Sequence, residues 1–144
     1  MTTDTRLVVR KMALIGGDLE EIAKLGERPL EEYLGDLYAQ VRAERYLERI
    51  IGRMIDINFH LITSGGNPPP KDYYDSFIRL GTLGIVPPDL ARALAASTGV
   101  RNRIAHEYED LDHAKVHEGL RSAARDVPRY LRHVQALLDS LAKS

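Results

Sequence analysis

Arg101-Asn102-Arg103-Ile104-Ala105-His106-Glu107-Tyr108 gathers an arginine, an asparagine, a histidine and a tyrosine within one short stretch. An arginine offers a permanently charged planar fork that matches phosphate oxygens, and a histidine titrates near neutrality and can take or give a proton. Asparagine adds an amide for orienting a ligand, and tyrosine adds a hydroxyl that can itself be modified. On an ideal helix at about 100° per residue, with Arg101 at zero, Tyr108 falls at about -20°, Ala105 at about 40°, Asn102 at about 100° and His106 at about 140°. The four polar side chains then share one half of the helix, with Ala105 leaving a low spot between Arg101 and His106. The separation of about 140° also means that one copy grips a phosphate poorly from both sides, so the site calls for a bent helix or a second chain. A purely structural alternative stands beside this: Arg101 bridging to Glu109 or Asp110, His106 capping the core, Tyr108 packing half-buried.

Two further groupings carry possible chemistry. Arg42, Arg45, Arg49, Arg53, Asp56 and His60 step by three or four residues and form one polar stripe. It is either a solvated face with local Arg53–Asp56 and Asp56–His60 pairs, or a basic wall on which Arg42, Arg45, Arg49 and Arg53 guide a nucleic acid. His113 and His117 have the spacing of two metal ligands on one helix, but without a nearby third ligand an exposed face is the expectation, and no metal site is assigned. The sequence has no Gly-rich phosphate loop, no His-Glu-x-x-His and no Gly-x-Ser-x-Gly.

The elements that must hold these residues read as helices throughout. A first amphipathic helix runs from about Asp4 to Leu25, with Thr3 or Asp4 as its cap, a kink or close contact at Gly16-Gly17, and Gly26 ending it in a left-handed cap. A second and longest helix is expected from about Pro29 to Thr63, with Leu34, Leu37, Val41, Leu47, Ile50, Ile51, Met54, Ile55, Asn58 and Ile62 on its apolar face. Ser64-Gly65-Gly66-Asn67-Pro68-Pro69-Pro70 is a loop, since tandem Gly and Pro cannot continue a helix. Asp72 to about Leu83 reads as a shorter helix, with Tyr73, Phe77, Leu80 and Leu83 inward and Gly84 closing it. Pro87-Pro88-Asp89 starts the helix that carries Arg101 to Tyr108, tied to the core through Leu90, Leu94, Ser97, Val100 and Ile104. A last helix from about His113 to Ala142 contains Pro128, which should kink it. The expectation is an all-α antiparallel bundle of about five helices in one domain, residues 1–144.

Composition bounds the rest. At 144 residues and 44% hydrophobic, the chain suits one domain with a core of ordinary size. Zero Cys excludes disulfides and thiolate metal sites and fits a cytoplasmic protein. Arg10, Lys11 and Asp18 interrupt the first segment, so no signal-peptide or membrane-spanning stretch is expected. A net charge of -1 gives no global attraction for nucleic acid, so any RNA contact must come from a local basic patch.

Arg101-Asn102-x-x-x-His106-x-Tyr108 matches the Arg-x4-His motif of the HEPN superfamily and, in this fuller form, resembles the HepT toxin branch. Glu44-Arg45-Tyr46-Leu47, the segment from Ile55-Asp56-Ile57-Asn58 to His60, the stretch at 74–81 and the place of the Pro-rich loop resemble the same branch. The likeness spans most of the chain. It implies an all-α homodimer, within a larger hetero-oligomer in some arrangements, whose facing motifs build one cleft. It further implies a metal-independent endoribonuclease without cofactor, the toxin of a type VII-like toxin–antitoxin pair. The implied partner is a nucleotidyltransferase antitoxin of the MNT type, and the implied substrate is tRNA or mRNA. By the same resemblance Arg101 and His106 are the catalytic pair, Asn102 assists, and Tyr108 is where the antitoxin attaches AMP. The alternative is a non-catalytic nucleotide- or RNA-binding subunit of a nucleotidyltransferase complex.

The residues suit that assignment. His106 is able to take the proton of an RNA 2′-hydroxyl, which then attacks the adjacent phosphate and leaves a 2′,3′-cyclic phosphate, while Arg101 offsets charge growing on the phosphorane. RNA is required because DNA lacks the 2′-hydroxyl. Nucleotidyl groups on Tyr108 would add negative charge and bulk beside Arg101 and so act as an off switch.

Overall fold

The computed structural model describes residues 2–143; Met1 and Ser144, the two ends of the expected 1–144 domain, lie outside them. Among the described residues there are six α-helices and one short 3-10 turn, with no strand. The helices are α1 (Thr5–Glu27), α2 (Leu30–Leu34), α3 (Leu37–Ser64), α4 (Tyr73–Thr82), α5 (Pro88–His106) and α6 (His113–Ala142), with the turn Tyr108–Asp110 between α5 and α6. The all-α expectation holds. No described helix is long and apolar enough to cross a membrane.

Aspartates set four of the six helix starts. Asp4, Asp36, Asp72 and Asp112 each accept from backbone N–H groups of the first turn, at Leu7, Ala39, Asp75 and Ala114/Lys115, satisfying donors that a helix cannot pair internally. Asp36 is the one that changes the expected architecture. It splits the single helix anticipated over Pro29–Thr63 into the five-residue α2 and the long α3, and Arg28 Nη1 donates to its other oxygen at 2.9 Å. The split turns Leu34, Leu37 and Val41, expected on the apolar face, toward solvent, with Leu37 70% exposed beside the equally exposed Tyr38.

Gly26 also departs from expectation. It lies inside α1, where a Cβ would meet Leu120 Cβ of α6 at 3.3 Å, and α1 instead ends at Arg28 because the residue before Pro29 is driven to extended backbone (ψ 140). A Cβ placed at Gly16 or Gly17 would meet nothing within 4 Å, so these glycines serve no close helix contact. Gly84 does close α4, at φ 75. The helix α6 continues through Pro128 from His113 to Ala142.

The central α3 packs against α1, α4, α5 and α6, and α1 also packs on α6. Ile15 and Ile22 from α1, Leu47, Ile50 and Met54 from α3, Leu120 and Val134 from α6 fill the core. The core is not wholly apolar: Asn58 lies on the buried face, donating to Ser76 Oγ at 3.2 Å and accepting from the Tyr130 hydroxyl at 2.6 Å. Because α3, α4 and α6 meet at this network, it fixes their register more sharply than hydrophobic burial does.

The α4–α5 hairpin matters most for the site. A Cβ at Gly81 would come within 2.9 Å of Ala91 Cβ, so the absence of a side chain lets the two helices close together. Phe77 and Leu80 face inward as expected, whereas Tyr73 and Leu83 are 43% and 39% exposed. Tyr73 points along the hairpin to α5 rather than into the core, and what it meets there is Arg101.

Candidate active site

The last turns of α5 carry Arg101, Asn102 and His106, with buried Ile104 anchoring them from behind. The helix stops at His106. Glu107 takes φ -130, ψ 41, and Tyr108 begins the 3-10 turn. Tyr108 therefore leaves the helical track that would put it beside Arg101, and its place is set by the turn and by α3.

Arg101 is half-buried and stacks over the ring of Tyr73, its guanidinium carbon 5.3 Å from the ring centroid. Tyr73 in turn meets Phe59 of α3 edge-on, centroids 6.4 Å apart. Arg101 Nη1 has a long contact to Asn102 Oδ1 at 3.5 Å, and its Nε is buried with no hydrogen-bond partner. No bridge to Glu109 or Asp110 forms. A guanidinium held by aromatic faces, with donors left over and no carboxylate to neutralise it, is equipped to bind an oxyanion. His106 and Asn102 are exposed at the end of the same helix, and His106 does not cap the core.

Tyr108 is half-exposed, and its hydroxyl is directed at the buried carboxylate of Glu44 on α3. Glu44's negative charge, followed by burial, raises the phenol above its ordinary range, with no aligned hydrogen bond joining the two groups. His113 Nδ1 lies 3.3 Å from Glu44 Oε2. Burial raises the Glu44 carboxyl, against the opposing charge of His113 and the nearness of the Tyr108 hydroxyl and the His113 ring. Sequence spacing gives Glu44 no site role and offers His113 only as half of a metal-ligand pair with His117, not as a neighbour of Glu44. Glu44 occurs at the head of Glu44-Arg45-Tyr46-Leu47, and only its burial, which sequence spacing does not show, sets it apart.

The arginine stripe of α3 lies against α1. Arg49 Nε and Arg53 Nη1 contact Asp18 Oδ2 at 3.1 and 2.8 Å, and Arg42 Nη2 contacts Glu21 Oε2 at 3.4 Å. Asp56 pairs with Lys11 and His60 accepts from the Asp4 backbone N–H, so neither the Arg53–Asp56 nor the Asp56–His60 pair forms. Arg45 keeps its head group mostly in solvent, with only a 3.8 Å contact to Glu48. His117 is not on an exposed face: it is buried, Nε2 bonded at 2.8 Å to the Arg28 carbonyl, its ring 5.1 Å from that of Tyr33. Among the described residues no group of three or more His, Cys, Asp or Glu is placed to hold a metal ion.

A cavity of about 270 Å³ opens between α3, α5 and α6, lined by Leu47, Met54, Leu94, Val100 and Val127 with Arg103 at its rim. Arg101, Asn102, His106 and Tyr108 do not line it. The candidate active residues therefore sit on an open surface of one copy.

A helical bundle with an Arg-x4-His pair ending one helix and a tyrosine just beyond defines the HEPN class, and comparison with known proteins agrees. The model of the family described as "Ribonuclease HepT-like" matches residues 15–134. The "tRNA nuclease HepT" of Aphanizomenon flos-aquae is 33% identical over 94% of this chain and 92% of its own length. In fold, the chain is similar to a tri-AMPylated Shewanella oneidensis HEPN toxin in complex with MNT antitoxin, with a TM-score of 0.82 and 22% identity over 90% of this chain and 97% of that one. It is also similar to the cytosolic protein YutE of Bacillus subtilis, with a TM-score of 0.79 and 14% identity over 97% and 94%. The chain belongs to the HepT-like family of the HEPN superfamily.

Proposed function

We propose that this chain is the toxin of a toxin–antitoxin pair acting in the cytoplasm, an endoribonuclease that cuts tRNA or mRNA without a metal. The observation that carries this is the unspent Arg101 guanidinium, braced by Tyr73 and with Nε unpartnered, on the same helix end as exposed His106. His106 takes the 2′-hydroxyl proton, the alkoxide attacks the neighbouring phosphate, and Arg101 stabilises the charge that develops; Asn102 orients the phosphate. The curated relative, a tRNA nuclease at 33% identity, supports tRNA as the first substrate to try.

The site is completed by a second copy. Helix α5 runs unbroken through His106, which keeps Arg101 and His106 at helical spacing, and facing motifs from two chains supply both an acid and a base. The exposed Leu34, Leu37, Tyr38 and Val41 strip is the kind of surface a dimer covers. Of the α3 stripe, Arg45 is best placed to follow the RNA backbone, because Arg42, Arg49 and Arg53 are paired to α1. A partner nucleotidyltransferase adds AMP to Tyr108 and silences the nuclease; support comes from the half-exposed, turn-mounted tyrosine and from the tri-AMPylated toxin of similar fold.

The test is cleavage of tRNA and mRNA by the purified protein in EDTA. Cleavage that persists in EDTA and is lost in His106→Ala is expected. If neither RNA is cut, or if His106→Ala cuts as well as the parent, the catalytic assignment fails. Intact mass after co-expression with a nucleotidyltransferase of the MNT type should show AMP-sized increments that disappear in Tyr108→Phe.

A further inference from the structure

The buried carboxylates of this fold follow a rule with one exception. Asp18 is met by Arg49 and Arg53, and Asp126 by Arg125 and Arg129. Glu44 is as deeply buried, at 2% exposure, yet no arginine or lysine reaches it, and neither of its oxygens has an aligned hydrogen bond. Three groups converge on it instead: the Tyr108 hydroxyl from the turn, His113 Nδ1 at 3.3 Å from α6, and Tyr33 from α2, whose own hydroxyl is buried and unpartnered. A carboxylate withdrawn from water and faced by no permanent cation, only by a histidine, is costly to keep, which points to a use.

We propose that Glu44 is the proton acceptor for Tyr108 when that hydroxyl takes up a nucleotidyl group. This rests on Tyr108 being the modified residue. In the step, Tyr108 Oη bonds the α-phosphorus of a nucleoside triphosphate, the bond from that phosphorus to the β-phosphate oxygen breaks, and pyrophosphate leaves. The phenolic proton passes to the Glu44 carboxylate, with His113 beside it to relay it to solvent. The environment suits both partners. Glu44's charge keeps the phenol protonated at rest, so the hydroxyl needs an acceptor at the moment of attack, and burial makes Glu44 a better base than an exposed carboxylate. The antitoxin then need only present the triphosphate, because the base resides in its substrate.

The experiment uses the full chain with a nucleotidyltransferase of the MNT type, ATP and magnesium, with intact mass followed over time. Glu44→Gln, which keeps the shape but accepts no proton, should slow AMP addition at least about tenfold and flatten its pH profile, with Glu44→Asp retaining part of the rate. Unchanged helicity and a melting temperature at or above that of the parent show that Glu44→Gln is folded. A second readout needs no partner: ultraviolet titration of Tyr108, taken as the difference from Tyr108→Phe, should move to lower pH in Glu44→Gln. Modification of Glu44→Gln at the parental rate overturns the proposal, as does an unmoved Tyr108 titration. If the parent protein takes no nucleotidyl group, the Tyr108 assignment itself falls and the proton transfer with it. A failure confined to Glu44→Gln leaves the Tyr108 assignment standing.

Discussion

Tyr73 gives the sharpest test of how the site is held. Its ring lies under the Arg101 guanidinium at 5.3 Å and is steadied by the edge of Phe59. At 43% exposure the residue contributes little to the core, so a substitution there acts on the arginine more than on the fold. A cation–π contact at such a half-exposed site is worth about 0.5–1 kcal/mol. If that energy orients Arg101 for the transition state, Tyr73→Leu should lower kcat/KM for RNA cleavage about two- to fivefold, since about 1.4 kcal/mol corresponds to a factor of ten. Tyr73→Phe keeps the ring and should stay near the parental rate. The decisive measurement is a double-mutant cycle: in an Arg101→Ala background, Tyr73→Leu should have no further effect. Equal losses from Tyr73→Leu with and without Arg101 would refute the idea that the ring works through the guanidinium.

Three other outcomes follow from particular contacts. Tyr130→Phe strands Asn58 Oδ1 in the core and releases the Met54 carbonyl, so it should cost about 1–3 kcal/mol and lower the melting temperature by several degrees in a thermal scan. The Asp36 carboxyl is held below the usual range first by the Ala39 N–H and then by Arg28. Stability from it is therefore complete above its unfolded value and lost as pH falls through the lower folded one, so acid titration of Asp36→Asn should show a smaller decline in the acid limb than the parent. Mixing Arg101→Ala with His106→Ala chains should raise RNA cleavage above the residual level of either alone, because a mixed dimer keeps one arginine and one histidine; no recovery after subunit exchange would count against a shared cleft.

Much of the helical framework is legible in the sequence because its signals are local. Asp4, Asp72 and Asp112 stand at the expected starts, and the Gly/Pro cluster at 65–70 is a loop, since caps and breakers act within a turn of themselves. The break at Asp36 was masked because Leu30, Leu34, Leu37 and Val41 continue an apolar rhythm of four, three and four residues across it; the rhythm is real but covers surface that this fold leaves open. The arginine stripe failed differently. Its spacing on α3 is as expected, yet Asp18 and Glu21 recur three residues apart on α1 to meet it, and such a match between helices appears only once the two are docked.

The motif divides along the same line. Arg101 and His106 are placed by helical spacing, and both lie within the unbroken span of α5. Tyr108 is not so placed, because Glu107 leaves helical backbone with neither glycine nor proline to announce it. The consequence is mechanical. Arg101 is braced by α4 through Tyr73, whereas Tyr108 is held by α3 and α6 through Glu44 and His113. On the function proposed above, separate supports let the tyrosine be engaged by a modifying enzyme while the arginine keeps its posture, so that a switch at Tyr108 would act by adding charge and bulk rather than by dismantling Arg101 and its Tyr73 brace.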